Sequence, residues 1–426
     1  MPTVAFHTLG CKVNQYDSQA MLELFERSGY TPVDFSEPAD VYVVNTCTVT
    51  GTGDKKSLQA VRRALRQNPA AQVVIAGCLA QRDGEKLLET GARLVIGNAR
   101  RGEVVRLLEE AVEKNTRIAA VENILRADYE SLAISSHEGH SRAVLKIQEG
   151  CDRYCTYCII PYVRGGIRSR KPEEIRGEAA RLAAAGFSEL VLTGIHLTSY
   201  GRDLSCATLL DAVRACDVEG VSRIRLGSLE PVIVTEDFAA ALQKEKKVCP
   251  QFHLALQSGS ESVLRRMRRR YTPAEFRNAC ALLRWAFPHC AITTDVICGF
   301  PGETEEEFEE TRAFCREIGF ARMHVFPYSA RQGTVAAGMS GQVPKALREA
   351  RARQLIEDGA AMAKAYRESW IGEEVQVLCE EQEDNVSHGY TAQYVPCRFA
   401  GGAPGKTCAV RVTGVWEDGL EGKIEE

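Results

Sequence analysis

The chain has 426 residues, 45% of them hydrophobic and 26% charged, and a formal net charge of −4. That length allows two or three domains of about 150 residues. The charge excludes a chain-wide basic nucleic-acid binder, and no run of about 18 apolar residues is present to span a membrane. The 16 cysteines, with no basic-then-apolar leader in MPTVAFHTLGC, point to a reducing, cytoplasmic compartment where thiols bind metal or pack in the core.

The first segment, residues 1–115, alternates strand-like and amphipathic helical runs. Strands are predicted at 4–9, 41–44, 73–76 and 94–96, and helices through 18–28, 56–67, 85–89 and 103–113. This alternation predicts a parallel α/β sheet. Cys11, Cys47 and Cys78 each follow one of the first three strands, about one βα unit apart. All three should therefore emerge at the carboxyl edge, where open α/β sheets place ligands. A cysteine is often just a small buried hydrophobe. Three at one strand end, two of them in the words Leu9-Gly10-Cys11 and Ala76-Gly77-Cys78, favour a metal cluster instead.

Periodicity fades over residues 116–141, read as a linker. Residues 142–369 then carry six strand-then-helix units, with strands at 143–148, 189–194, 223–227, 252–257, 292–297 and 323–327. Six units fall short of a closed eight-fold barrel, so an open (β/α)6 barrel is expected, with its site at the strand C-termini. The first of these strands leads into Glu149-Gly150-Cys151-Asp152-Arg153-Tyr154-Cys155-Thr156-Tyr157-Cys158, a CxxxCxxC loop. Three thiolates on one loop suit three irons of a four-iron, four-sulfur cluster and leave the fourth iron open. Structural zinc would call for four N or S ligands, and a disulfide framework for a short secreted chain.

Residues 370–426 alternate like strands at 374–379, 389–399 and 407–415, which predicts a small antiparallel β-barrel. This segment holds four Lys+Arg against eleven Asp+Glu. An RNA footprint is therefore expected on the first two segments, at Arg265–Arg270 and Arg164–Lys171, where phosphates could be gripped. The acidic last barrel would repel phosphates.

The CxxxCxxC loop, with an aromatic residue before its last cysteine, resembles the signature of the radical S-adenosylmethionine superfamily. Taken with the three segments, the whole chain resembles a radical S-adenosylmethionine methylthiotransferase, whose family has an N-terminal cluster domain, a partial barrel and a C-terminal TRAM barrel. The resemblance is greatest to the branch acting on threonylcarbamoyladenosine beside the tRNA anticodon. Four words carry it: Thr8-Leu9-Gly10-Cys11-Lys12-Val13-Asn14, Asn45-Thr46-Cys47-Thr48-Val49-Thr50, Ser228-Leu229-Glu230-Pro231, and Phe326-Pro327-Tyr328-Ser329 with Gly333-Thr334.

The resemblance implies two four-iron clusters, one on Cys151, Cys155 and Cys158 and one on Cys11, Cys47 and Cys78. It implies methylthiolation at C2 of the modified adenosine, with two molecules of S-adenosylmethionine consumed. It also implies a flavodoxin- or ferredoxin-like electron donor; the sulfur donor is left open. Tyr157, Gly194, Glu230, Gln257, Ser258 and Asp295 sit at strand ends or beside the cysteine loop, as candidate cofactor contacts. His7, His196, His253 and His324 are read as core or supporting residues, and the other ten cysteines as structural. Two competing readings are a methylthiotransferase for a ribosomal protein side chain and a non-catalytic iron–sulfur protein.

Overall fold

The computed structural model describes residues 1–136 and 142–425; the last part of the expected linker, 137–141, and residue 426 lie outside the described residues. The first domain runs β1 (Thr3–Thr8), α1 (Lys12–Arg27), β2 (Thr31–Val33), β3 (Val41–Thr46), α2 (Gly51–Gln67), β4 (Gln72–Gly77), α3 (Cys78–Asp83), β5 (Leu94–Ile96), α4 (Val104–Glu113) and β6 (Ile118–Ala120). Its six strands form one sheet in the order β2-β1-β3-β4-β5-β6, with every pair parallel. Met21 and Phe25 of α1 pack on one face with Leu107 and Leu108 of α4, and Ala60, Val61 and Ala64 of α2 pack on the other. Coverage of both faces explains why β3 is buried along its whole length and reads as an unbroken apolar run.

The sheet extends into the expected linker, because β6 pairs with β5 at Leu94↔Ile118. Three residues are too few for a period-2 signal to show. Helix α1 also begins well before the predicted start at residue 18. Its first turns carry Asn14, Asp17, Ser18 and Gln19, all buried, so a polar interface there hides the helical period.

The second domain contains all six predicted strands, as β7 (Arg142–Glu149), β9 (Glu189–Gly194), β10 (Arg223–Leu226), β12 (Gln251–Leu254), β13 (Ala291–Cys298) and β14 (Arg322–Pro327), with short β8 (Arg168–Ser169) and β11 (Ser228–Leu229) added. Its helices are α5 (Ile160–Arg164), α6 (Pro172–Ala184), α7 (Leu209–Ala215), α8 (Glu236–Gln243), α9 (Glu261–Arg266), α10 (Pro273–Ala286), α11 (Glu305–Ile318) and α12 (Lys345–Glu368). Capping boxes at Thr272/Glu275 and Thr304/Glu307 start α10 and α11. Strands run β8-β7-β9-β10 in one half and β11-β12-β13-β14 in the other. The halves join where the Cys249 N–H donates to the Ile224 carbonyl at 2.8 Å. Among the described residues β7 and β14 do not pair, so the barrel stays open along one side.

The third domain is a closed barrel, β15 (Glu374–Glu383), β16 (Val386–Thr391), β17 (Pro396–Ala400), β18 (Thr407–Trp416) and β19 (Gly419–Ile424), in the order β15-β16-β17-β19-β18. Two corrections to the sequence reading follow. The predicted run 389–399 is two strands, broken by a turn in which Tyr394 adopts φ 66°. The barrel is also not wholly antiparallel, since β17 and β19 pair in parallel.

This barrel docks at the starts of the second-domain strands. Arg223 donates to the carbonyls of Tyr390 (3.1 Å) and Gln376 (2.6 Å), and Arg225 to that of Ala392 (2.9 Å). Arg142 pairs with Glu380 at 3.1 Å and lies 4.7 Å over the stacked rings of Tyr390 and Tyr394. Part of the tail's acidity is thus neutralised within the chain. Among the described residues no helix is long and apolar enough to cross a membrane.

Candidate active site

The chain steps from β1 out to β2 and then back past β1 to β3, so the winding of the first sheet reverses between β1 and β3. A reversal of this kind opens a crevice at the carboxyl edge. Cys11 follows β1 there as the N-cap of α1, Cys47 follows β3, and Cys78 opens α3 directly after β4. The Cys11 sulfur lies at the start of α1, near the backbone N–H groups of Val13 and Asn14. Gly10 has φ 105°, and a Cβ there would fall 3.0 Å from the Cys47 Cβ and 3.1 Å from its Sγ. Burial pushes the Cys47 thiol up to about 11, and the nearby Cys78 and Cys11 thiols add to the shift.

The second cysteine set rides on the loop after β7. Gly150 starts that loop at φ 74°, and a Cβ on it would meet the Gly166 carbonyl oxygen at 1.7 Å. The loop is pinned at several points. The Cys151 N–H donates to the Gly165 carbonyl at 2.9 Å, and the Thr156 N–H and hydroxyl donate to the carbonyls of Met267 (3.1 Å) and Arg266 (2.9 Å). Burial pushes the Cys151 thiol up to about 11 and the Cys158 thiol up to about 12, so both rest as neutral thiols in the metal-free chain, and a metal bound there would displace their protons.

A cavity of about 230 Å³ is lined by Cys158 of the second set and by residues next to Cys47 of the first. One wall is Val49 and Thr50, just past Cys47. The opposite wall is Tyr157–Ile160, which includes Cys158, and the lumen side is Gln257, Asp295, Ile297 and Phe326–Ser329. The open side of the barrel is thus where the first domain is received. A second contact holds it there: Arg331 and Arg82 converge on Asp54 and Thr48, with Arg82 2.9 Å from Asp54 and Arg331 2.9 Å from the Thr48 hydroxyl.

Of the predicted cofactor contacts, Tyr157, Gln257 and Asp295 line this cavity. Tyr157 meets Phe300 edge-on at 6.5 Å. Gln257 takes φ 68° as its N–H donates to the Asp295 carbonyl at 2.9 Å. Asp295 lies 3.4 Å from His253. Ser258 does not line the cavity: it is wholly buried, and its hydroxyl pairs with Thr311 of α11 at 3.0 Å, on the outer face of the barrel. Gly194 serves the loop from behind, with its Cα against the Gln148 side chain, whose amide donates to the carbonyls of Glu149 and Gly150.

Glu230 is the centre of a buried charge cluster beside the loop. It sits 2.9 Å from Arg153, 2.9 Å from Arg269 and 3.1 Å from His196. Burial acts to raise its pKa, but His196, Arg269 and Arg153 outweigh that and hold the carboxyl at about 2. Glu230 Oε2, His196 Nε2 and Arg269 Nη2 are in ionic contact but lack aligned hydrogen bonds. Such polar atoms, fixed by ion pairs next to a thiol loop, keep hydrogen-bonding capacity that a polar cofactor could use.

The basic runs are surface patches only in part. Arg164, Arg168 and Arg170 are buried, and Arg170 pairs with Glu178. In the other run Arg269 turns inward and Arg266 is engaged by Glu307 at 2.7 Å, leaving Arg265, Arg268 and Arg270 exposed. No sequence signal separates a buried arginine from a solvated one, so the inward role of Arg164 and Arg269 was illegible in the chain.

The residues fit iron–sulfur clusters. Each site offers three cysteines, and the Cys151–Cys158 loop fits the CxxxCxxC donor pattern. No three His, Cys, Asp or Glu side chains among the described residues close around a single metal ion. A cluster spreads its ligands over separate irons and does not need that closure.

Residues 3–97 match the family described as Uncharacterized protein family UPF0004, and residues 145–315 match the Radical SAM superfamily. The chain is 44% identical over 410 residues to the threonylcarbamoyladenosine tRNA methylthiotransferase MtaB of Bacillus subtilis, covering 94% of this chain and 91% of that one. It is 38% identical to the tRNA-2-methylthio-N(6)-dimethylallyladenosine synthase of a Parafrankia species, over 88% of this chain and 77% of the relative. Among solved structures, the fold is similar to the radical S-adenosylmethionine methyltransferase TsrM from Kitasatospora setae, with cobalamin and a four-iron, four-sulfur cluster bound. The TM-score is 0.59 at 15% identity, covering 79% of this chain and 77% of that one.

Proposed function

We propose, for a chain that belongs to the radical S-adenosylmethionine tRNA methylthiotransferases, that its substrate is N6-threonylcarbamoyladenosine beside the anticodon and that the product carries a methylthio group at C2. One observation carries this reading: Cys158 of one triad and Val49 and Thr50, just past Cys47 of the other, line one cavity between the first two domains. Bound on Cys151, Cys155 and Cys158, and on Cys11, Cys47 and Cys78, two four-iron clusters supply the electron that splits S-adenosylmethionine and the sulfur chemistry that a side chain cannot perform. A second S-adenosylmethionine supplies the methyl group.

The chain's own residues bind, orient and exclude water. Tyr157, Ile297 and Phe326 offer apolar walls for an adenosine, and Gln257 and Asp295 offer polar groups at the rim. Glu230 holds Arg153 and Arg269 at fixed distances from the cysteine loop, so the loop meets its cofactor without rearranging. The docking of α2 through Asp54, Arg82 and Arg331 sets the separation of the two triads and keeps water out of the space between them. Exposed Arg265, Arg268 and Arg270 are the basic residues proposed to meet anticodon-loop phosphates.

The test is a mass spectrum of tRNA nucleosides after anaerobic reconstitution with reductant, S-adenosylmethionine, a sulfide source and tRNA carrying threonylcarbamoyladenosine. A methylthio-threonylcarbamoyladenosine peak is the expected result. Abundant 5′-deoxyadenosine without that peak would move the substrate to a protein side chain, and neither product from protein with both clusters intact would overturn the enzymatic reading for these conditions.

A further inference from the structure

Arg164 ends α5, the short helix entered two residues after Cys158, yet its side chain is spent on the other cysteine site. Its Nε donates to Cys78 Sγ at 3.2 Å. Its Nη1 meets Glu149 at 2.8 Å and Asp17 at 3.1 Å, and its Nη2 meets the Asn14 side-chain carbonyl. Asp17 and Asn14 come from α1, Glu149 from β7 and Cys78 from α3, so one guanidinium ties both domains together at the edge of a proposed cluster.

The surrounding charges do not cancel. Asp17 also holds Arg101 and Lys146, and Arg101 and Lys146 each reach Glu149 at 3.3 Å. Glu130 joins at 2.9 Å from Arg101. Arg168 is buried alongside, and among the described residues its guanidinium hydrogen-bonds the carbonyls of Arg164, Ile124 and Ala127 and no carboxylate. Among the described residues, four cations, Arg101, Lys146, Arg164 and Arg168, therefore face three carboxylates, Asp17, Glu130 and Glu149. Neighbouring Arg170 is balanced by buried Glu178, with the partly exposed Glu174 3.6 Å away. A buried positive excess is costly unless a negative group sits next to it. The group within reach of Arg164 is the Cys78 sulfur.

We propose that Arg164 is the counter-charge of the Cys11/Cys47/Cys78 site, and that its hydrogen bond to the Cys78 sulfur raises the reduction potential of the cluster held there. This rests on the reading that those three cysteines bind a cluster. Positive charge and N–H donors at cluster sulfurs favour the more negative, reduced state. Arg164 is a positioning residue here, since it acts through the thiolate it contacts.

The experiment uses the full chain with Cys151, Cys155 and Cys158 all changed to Ala, so that only the second site can hold iron. The reduction potential is read by a redox titration followed by paramagnetic resonance. Arg164→Gln is expected to lower the reduced-to-oxidised ratio at a fixed potential about tenfold, a shift of about 59 mV for a one-electron couple. Arg164→Lys is expected to recover part of that shift. Asp17→Asn leaves the positive excess larger and should move the potential the opposite way.

Opposite shifts from Arg164→Gln and Asp17→Asn would support the proposal, because loosened packing would move both the same way. Shifts of one sign, or no shift with iron bound, would overturn it. If Arg164→Gln takes up no iron, Asp17→Asn decides alone: a raised potential supports the proposal, and an unchanged or lowered one overturns it. If the parent triple variant binds no iron, the cluster assignment itself fails, and the proposal with it.

Discussion

Arg269 places its Nη1 3.3 Å from the Sγ of Cys155 while its other amine meets Glu230 at 2.9 Å. A residue from a run of five arginines interrupted by Met267 thus serves the cysteine loop and not the solvent. Arg269→Gln is expected to cut 5′-deoxyadenosine formation by about tenfold or more, the scale of losing a charge-assisted contact. Binding of tRNA, read by a filter or anisotropy assay, should change little. Arg268→Gln and Arg270→Gln should do the reverse, and a tRNA-binding loss in Arg269→Gln equal to theirs would refute the inward assignment.

The two triads should separate by phenotype. Cys155→Ala is expected to abolish 5′-deoxyadenosine formation. Cys47→Ala is expected to spare part of that cleavage and to stop methylthiolation of the nucleoside. Unchanged methylthiolation in Cys47→Ala would remove the second cluster from the account.

Glu230 predicts an acid-labile loop. Its carboxyl is held at about 2, below the ordinary 4.5, by His196, Arg269 and Arg153 acting against burial. A depressed carboxyl contributes stability that is complete above about pH 4.5 and is lost as the pH falls toward 2, here on the order of 3 kcal/mol. Denaturant midpoints of the metal-free chain at pH 5 and pH 3 measure it. Glu230→Gln should flatten that difference, and an unaltered slope would place the acid sensitivity elsewhere.

Gly150→Ala should not be tolerated. The residue sits at φ 74°, and the added methyl would lie 1.7 Å from the Gly166 carbonyl oxygen, which is backbone and cannot step aside. The cost expected is on the order of 4 kcal/mol or more. Loss of cluster absorbance on Cys151, Cys155 and Cys158, with the second site still loaded, is the readout.

Asp54→Ala tests the docking of the first domain. Asp54 receives both Arg82 and Arg331, and Arg331 is nearly buried. Removing the carboxylate leaves that guanidinium without a counter-charge, at roughly 1–3 kcal/mol. Because Val49 and Thr50, which lead into α2, form one wall of the cavity, nucleoside product should fall more than 5′-deoxyadenosine does. Equal losses of both would mean that the contact supports only stability.

Chain order and pattern were enough to find the six strands of the partial barrel, the parallel first sheet and the place of Cys11, Cys47 and Cys78 at its carboxyl edge. Period-2 and period-3.6 hydrophobicity survives wherever one face of an element is buried against apolar neighbours, and the placement of cysteines at strand ends follows from βα spacing alone. What pattern could not reach were the places where polar groups are buried by partners distant in sequence. The start of α1 was hidden because Asn14 and Asp17 face Arg164 and Lys146 across a domain boundary. Arg164 and Arg269 looked like phosphate grips because charge in a sequence carries no label of depth. Ser258 looked like a site residue because its backbone stands at a strand end, whereas its hydroxyl is committed to Thr311 behind the barrel. The single cavity shared by Val49, Tyr157 and Asp295 exists only after three distant segments fold together. Spacing along one chain therefore determined which residues could bind metal, and only tertiary packing decided which charges surround them.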